Sequence, residues 1–305
     1  MKVLILASYN KNRFAPFIVE QANALVEQGC EVEYFGIVGK GLKGYLKAYK
    51  SLLKKIKEFK PDIVHAHYGL SGLLANLQRT VPVVTTYHGS DINLTKVLKL
   101  SKIAMRLSAY NIFVSQRNVE IAKPKNIFLL LPCGVNLPEY KEEDVIAIKK
   151  QLRWQETKRY VLFAGAFDNR VKNAPLAQES VGLLENVELI ELKGYTREQV
   201  TALFYAVDAF LMTSFTEGSP QVVKEAMACG CPIVSVDVGD VSERIDGLQG
   251  CYIAARHSQD IANKLNQALS FNSRTKGRER IIELGLTNDL VAKKLVKIYD
   301  GILNK

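Results

Sequence analysis

Residues 213–243 read TSFTEGSPQVVKEAMACGCPIVSVDVGDVSE, and the organisation of the chain can be worked outward from them. Gly218 permits close approach of backbone to a ligand, Ser219 is a good N-cap, and Pro220 suits a first helical position, where its missing N–H would be unpaired anyway. These residues predict a helix from about residue 220. Val222, Val223, Ala226, Met227 and Ala228 give that helix a close-packing side, Gly230-Cys231-Pro232 ends it, and Ile233 to Val236 reads as a buried strand. Its first N–H groups and the positive end of its dipole face back toward Glu217, a natural cradle for phosphate or sugar hydroxyls. Glu225 lies ~8 Å further along the axis at 1.5 Å per residue. Two acceptors that far apart suit two hydroxyl-bearing groups flanking a diphosphate better than one shared metal. A solvated helix face is the ordinary reading of such a pair, and the buried flank of this helix argues against it.

The strand–helix alternation extends through the chain. Val3 to Ala7, Val32 to Phe35, Ile63 to Ala66 and Val81 to Thr85 are short apolar runs of strand type, separated by helical patterns near 16–28, 42–59 and 69–79. The pattern restarts after the charged, Pro-containing stretch Leu137 to Asp144, with strands at Tyr160 to Ala164, Val187 to Ile190, Ala209 to Met212 and Ile233 to Val236. Such alternation predicts an α/β fold with parallel sheets covered by helices on both faces. Leu290, Leu295, Ile298, Tyr299 and Ile302 predict a terminal helix.

At 305 residues the chain has room for two domains of about 150 residues, an ordinary domain size. It contains no run of about 18 apolar residues, and the N-terminal Met1 to Ala7 passes into polar sequence without a cleavage site, so neither a spanning segment nor secretion is expected. Five cysteines without paired spacing fit a reducing cytosol and small packing roles.

The opening segment resembles the signature of the retaining glycosyltransferases of family 4, the group 1 glycosyl transferases, which have the GT-B fold. The resemblance rests on Glu217-Gly218-Ser219-Pro220, on Glu225-Ala226-Met227-Ala228-Cys229-Gly230-Cys231-Pro232-Ile233-Val234, and on Asp237-Val238-Gly239. It implies two Rossmann-like domains facing each other across a cleft. The expected division is an acceptor domain over 1–141 and a donor domain over 142–287, with a helix near 288–305 returning to the first domain. The implied reaction moves a sugar with retention, through a front-face oxocarbenium-like transition state, from a UDP- or GDP-sugar to a glycan or lipid-linked acceptor in cell-surface polysaccharide synthesis. Glu225 would bind ribose hydroxyls and Glu217 the transferred sugar, while Gly218, Ser219, Pro220, Gln221 and Val222 shape the helix-start cradle. Gly165 and the following Asp168 to Asn173 match the loop whose Arg and Lys hold the donor diphosphate, which assigns Arg170 and Lys172 to stabilising the leaving group. The family's commonest form has Arg directly after the glycine, where this chain has Ala166. Gly194 and Tyr195 match the loop beside the nucleotide base. No cofactor or metal is expected, because the paired Asp-x-Asp that would bridge a metal to the diphosphate is absent.

Two further segments, His65-Ala66-His67 and Thr86-Tyr87-His88, each follow a predicted strand. The His65/His67 spacing alone admits a metal, but no Cys, Asp or Glu stands near to complete a site. His88 matches a family histidine close to the transferred sugar. The loop Ser8 to Pro16 is expected to touch the acceptor, although it lacks the glycines common there. The formal charge of +10 is concentrated from Lys40 to Lys60, where eight lysines and the single acid Glu58 alternate with apolar residues at helical spacing. A surface helix with its apolar side in the core has this pattern; so has a helix resting on anionic lipid, which is preferred over nucleic acid because many relatives act on lipid-linked acceptors. The expected location is cytoplasmic, peripheral on the inner face of the membrane. A GT-B sugar-nucleotide epimerase and a non-catalytic sugar-nucleotide-binding protein are the rival readings.

Overall fold

A computed structural model describes residues 1–10, 12–39 and 41–304. The chain forms two compact units, Met1–Gly134 with Leu286–Lys305, and Val135–Gly285.

The first unit is built on six parallel strands: β1 (Lys2–Ser8), β2 (Glu31–Ile37), β3 (Ile63–His67), β4 (Val83–Tyr87), β5 (Tyr110–Phe113) and β6 (Phe128–Leu130), in the order β2-β1-β3-β4-β5-β6. Strand β1 shows why the sheet must be covered twice. Val3, Ile5 and Ala7 point into one core with the helix Pro16–Glu27 and the terminal helix Asn288–Leu303, whereas Leu4 and Leu6 point into another with Leu52, Ile56, Phe59 and Leu74. Consecutive apolar residues on one strand therefore feed opposite faces, the mark of a doubly covered parallel sheet.

The terminal helix belongs to this unit. The Thr287 side chain caps it by accepting the Leu290 N–H, and Val291, Ala292, Leu295 and Tyr299 are buried. Gly134 lies so close to its start that a Cβ there would stand 2.7 Å from Asn288 Cα. Tyr299 has no exposed surface, and its hydroxyl is 2.5 Å from His65 Nδ1.

Two expectations about this unit are corrected. The strand expected at Val81 to Thr85 begins instead at Val83, because the Gln78 side-chain oxygen accepts the N–H groups of Thr80 and Val81 and closes them into a turn. The single basic helix expected over 40–60 is two helices, Gly41–Lys47 and Tyr49–Phe59, with Ala48 between them; its first residue, Lys40, lies outside the described residues. Gly39 and Gly44 press together, each leaving its neighbour's backbone within 3.0 Å of an added Cβ, and glycine within the first helix weakens it. Among the described residues no helix is long and apolar enough to cross a membrane.

The second unit holds β7 (Arg159–Phe163), β8 (Val187–Glu191), β9 (Ala209–Met212), β10 (Ile233–Val236) and β11 (Cys251–Ala254), all parallel, in the order β11-β10-β9-β7-β8. Strands β9 and β10 occupy the ranges expected from sequence. The chain runs one way from β7 to β8 and the other way to β9, so the carboxyl ends of β7 and β9 border the topological switch point, where open α/β sheets bind ligands. The five cysteines are all free thiols; Cys229 and Cys231 are buried, and burial pushes the Cys229 thiol up to about 12. They are packing groups.

Candidate functional site

The loops after β7 and β9 meet at this switch point. After β9, Thr213 donates its hydroxyl to the carbonyls of both Lys172 and Asn173, at 2.9 Å each, and the Phe215 N–H reaches the Val171 carbonyl at 2.9 Å. These bonds fasten the short 3-10 turn Arg170–Lys172 against the strand end. The turn starts where Asn169 accepts the Val171 N–H and ends at Asn173 in the left-handed region, φ 55°. Lys172 is thereby held over the Glu217 turn, its Nζ 2.7 Å from Glu217 Oε1. Both side chains are mostly enclosed, at 19% and 17% exposure, so the pair is more than a solvated surface contact. Gly165 makes room for it: a Cβ there would meet Lys172 Cγ at 3.0 Å.

The helix behind Glu217 differs from expectation in one respect. It runs Gln221–Ala228 with Pro220 as N-cap, and no side chain caps it. Ser219 does not serve as N-cap; its hydroxyl is enclosed without a hydrogen-bond partner. Proline at the cap position shifts the first helical residue to Gln221. Gly218 is buried and Val222 half-buried. The turn is backed by Gly239, which has φ +65° and lies so close that a Cβ would sit 2.6 Å from the Gly218 carbonyl oxygen.

Glu225, on the same helix, forms an ion pair at 2.9 Å with Arg197, a residue the sequence reading did not single out. Arg197 opens the helix Arg197–Ala206, whose start is fixed by a reciprocal capping box between Thr196 and Gln199. That T-x-x-Q pattern was a readable signal for the helix start, though not for the partner of its first residue. Arg256 was likewise missed: its guanidinium donates to the carbonyls of Thr213 and Ser214 at 3.0 and 2.8 Å and lies 5.3 Å from the Phe215 ring, bracing the β9 loop.

Arg170, two residues before Lys172 in the same 3-10 turn, is exposed. Gly194, at φ +83°, and the half-buried Tyr195 lie on the loop after β8, which is tied to the β7 loop by the Lys193–Asp168 pair at 2.7 Å and by the Leu192 N–H to the Gly165 carbonyl at 3.0 Å. The second unit thus gathers Gly165, Lys172, Glu217 and the start of the 221–228 helix, with Glu225 further along that helix and paired to Arg197 of the 197–206 helix. An ammonium beside a helix start is suited to an anion, and the two carboxylates near it are acceptors for hydroxyl groups.

In the first unit, His65 and His67 lie on one face of β3 with rings stacked 4.7 Å apart. His65 bonds to Tyr299 and to Thr86 Oγ1 at 2.7 Å, and burial lowers it to about 3, so it is neutral. His67 Nδ1 is 3.0 Å from His88 Nε2, and the His88 ring is also flanked by Phe17 and Tyr68. These histidines are thus engaged with each other and with hydroxyls, and among the described residues no group of His, Cys, Asp or Glu has a metal-holding arrangement. The loop Ser8 to Pro16 is anchored by Asn10, which exchanges hydrogen bonds with Gly39 at 2.7 and 3.0 Å; Lys11 lies outside the described residues.

Gly239→Ala is expected to destabilise the protein by about 1–3 kcal/mol, because alanine disfavours this left-handed backbone and its Cβ would displace Gly218. Chemical denaturation measures the loss, and nucleotide affinity should fall with it; an alanine variant with unchanged stability and affinity would show that the Gly218 turn yields freely.

Residues 144–270 match the family model described as "Glycosyl transferases group 1", and residues 17–117 the one described as "Glycosyl transferase 4-like". The chain is 26% identical over 243 residues to a putative teichuronic acid biosynthesis glycosyltransferase of Bacillus subtilis, covering 70% of this chain and 62% of that protein. The match thus spans less than two thirds of the Bacillus protein's length. It is 22% identical over 253 residues to the N,N'-diacetylbacillosaminyl-diphospho-undecaprenol alpha-1,3-N-acetylgalactosaminyltransferase of Campylobacter jejuni, covering 70% of this chain and 67% of that protein. Among solved structures, sucrose-phosphate synthase from Thermosynechococcus elongatus superposes with TM-score 0.81 at 15% identity, over 100% of this chain and 99% of that one. Anabaena Alr3699/HepE, solved in complex with UDP, gives 0.76 at 15% identity over 99% and 100%.

Proposed function

The chain belongs to the group 1 glycosyl transferases and has the GT-B fold, and from that membership we propose that it transfers a sugar, with retention, from a UDP- or GDP-sugar to a glycan or lipid-linked acceptor in cell-surface polysaccharide synthesis. The observation that carries this reading is the Lys172–Glu217 pair at the mouth of the 221–228 helix. The second unit binds the donor, its diphosphate against the helix start. Lys172, with Arg170 beside it, supplies the positive charge that the departing diphosphate requires, independently of a metal. Glu217 turns to the hydroxyls of the transferred sugar and Glu225 to those of the ribose. The bond from the anomeric carbon to the phosphate oxygen breaks, the acceptor oxygen bonds to that carbon on the same face, and the acceptor proton passes to the departing phosphate oxygen. The first unit takes the acceptor.

Thermal-shift measurement against UDP, GDP, ADP and their sugars tests the donor half. A ligand at 100 times its Kd adds about 2.7 kcal/mol of stability, a shift of several degrees. One nucleotide should stand out, with its sugar conjugate binding as well; an unshifted transition with all of them contradicts the reading. Product analysis with donor alone separates transfer from epimerisation, since an epimerase converts the donor without an acceptor.

A further inference from the structure

Three helices of the first unit carry most of the charge imbalance of the chain. Gly41–Lys47 and Tyr49–Phe59 bear Lys43, Lys47, Lys50, Lys54, Lys55 and Lys57 against one acid, Glu58. Thr95–Leu107 bears Lys96, Lys99, Lys102 and Arg106 and no acid. These helices account for nearly all of the formal +10. They also leave large apolar side chains in solvent: Leu42, Leu46 and Leu53 on the first two, Ile103 and Leu107 on the third, and Leu94, 57% exposed, just ahead of it. Lysine and exposed leucine side by side is the composition of a surface that rests on anionic lipid.

Gly41–Lys47 and Thr95–Leu107 border one cavity, through Tyr45 and Val97. The buried helix Gly69–Asn76 packs against Gly41–Lys47 and Thr95–Leu107, and above it a cavity of about 570 Å³ is walled by Phe14, Ile18, Tyr45, Leu70 and Val97. It opens at the carboxyl ends of β1 and β3, the switch point of this sheet. The charged groups among its lining residues are Arg13 and Asp91. Asp91 is buried and its oxygens accept the N–H groups of Gly69, His88 and Gly89, so its acceptor capacity is turned to the backbone. Arg13 is exposed at the rim, near Ser8 and Asn10. Ser8, Asn10, Tyr68 and Ser90 also line the cavity, with Asn10 bonded to Ser8 and Gly39, but its surface is mostly apolar, so hydrocarbon gains by entering.

We propose that this cavity seats the phosphate-proximal hydrocarbon of a lipid-phosphate-linked acceptor taken from an anionic membrane surface, with Arg13 on the phosphate and the three basic helices on the headgroups. The inference rests on the transferase reading and selects the lipid-linked acceptor within it.

The test uses the full chain, farnesyl phosphate as soluble probe, and vesicles of phosphatidylcholine with or without about one third phosphatidylglycerol. Farnesyl phosphate should bind at least about tenfold more tightly than farnesol or inorganic phosphate, and Val97→Trp, which fills the cavity, should lower its affinity by about tenfold or more. Co-sedimentation should require phosphatidylglycerol and fall with added salt and with the exposed pair Lys96→Glu/Lys99→Glu. Inorganic phosphate binding as tightly as farnesyl phosphate, or equal sedimentation with neutral vesicles, overturns the proposal, as does a folded Val97→Trp protein with undiminished affinity. If Val97→Trp fails to fold, the wild-type ligand comparison and the lysine variant decide. Binding of UDP, GDP and ADP by the same wild-type sample separates the two levels: one nucleotide bound without farnesyl phosphate sinks this inference alone, and loss of all three together with farnesyl phosphate sinks the transferase reading as well.

Discussion

Lys172→Ala is expected to lower kcat by about 10²- to 10³-fold, the range for removing one preorganised group that stabilises charge developing in a transition state. The ammonium of Lys172 is fixed from two directions: its backbone is fastened by the Thr213 hydroxyl, and its Nζ is paired with Glu217. Little reorganisation is then needed when a diphosphate gains charge beside it. Because the contact strengthens as the leaving group departs, the loss should fall on kcat more than on KM. Steady-state kinetics with saturating acceptor reads the split, and a defect confined to KM would remove Lys172 from the chemical step. Glu217 is left without this cation in the variant, so an unfolding curve should accompany the kinetics. The enclosed pair makes a modest loss of stability an expected companion rather than the cause of the kinetic defect.

Glu225→Ala should act on the other end of the donor. Losing a charge-assisted hydrogen bond worth about 1.5–3 kcal/mol weakens nucleotide binding by about 10- to 100-fold. The Glu225–Arg197 pair refines the expectation. The carboxylate is already partnered, so ribose hydroxyls must share it with a guanidinium that is itself 43% exposed. Arg197→Ala should therefore change nucleotide affinity far less than Glu225→Ala does. Calorimetric titration of both variants checks the ordering. Equal losses would mean that Arg197 contacts the donor directly, and an unchanged affinity for Glu225→Ala would remove this carboxylate from the site.

The elements that place the site were legible because their signals are local. Ala209 to Met212 and Ile233 to Val236 are strands where the apolar runs put them, and Gly230 ends the intervening helix in the left-handed region, φ +63°. The errors are local as well. Ser219 and Pro220 both favour a helix start, and the choice between them was made by Pro220 taking the cap and leaving the serine hydroxyl enclosed. The basic stretch divides at Ala48 into two helices, a break that apolar periodicity does not register. The same limit hid the second basic stretch, Thr95–Leu107. Its four cations look ordinary along the chain and are related to Gly41–Lys47 only when folding packs both helices against Gly69–Asn76.

Residue identity alone thus settled the parallel α/β architecture, the Glu217–Glu225 helix and the family, since each depends on side chains within a few positions of one another. The partners were settled by the assembled sheets. Lys172 meets Glu217 because the order β11-β10-β9-β7-β8 makes β7 and β9 neighbours. His65 reaches Tyr299, 234 positions away, because the terminal helix packs on the first sheet. Such pairings are set by strand order and helix packing over the whole chain, which no window of sequence contains.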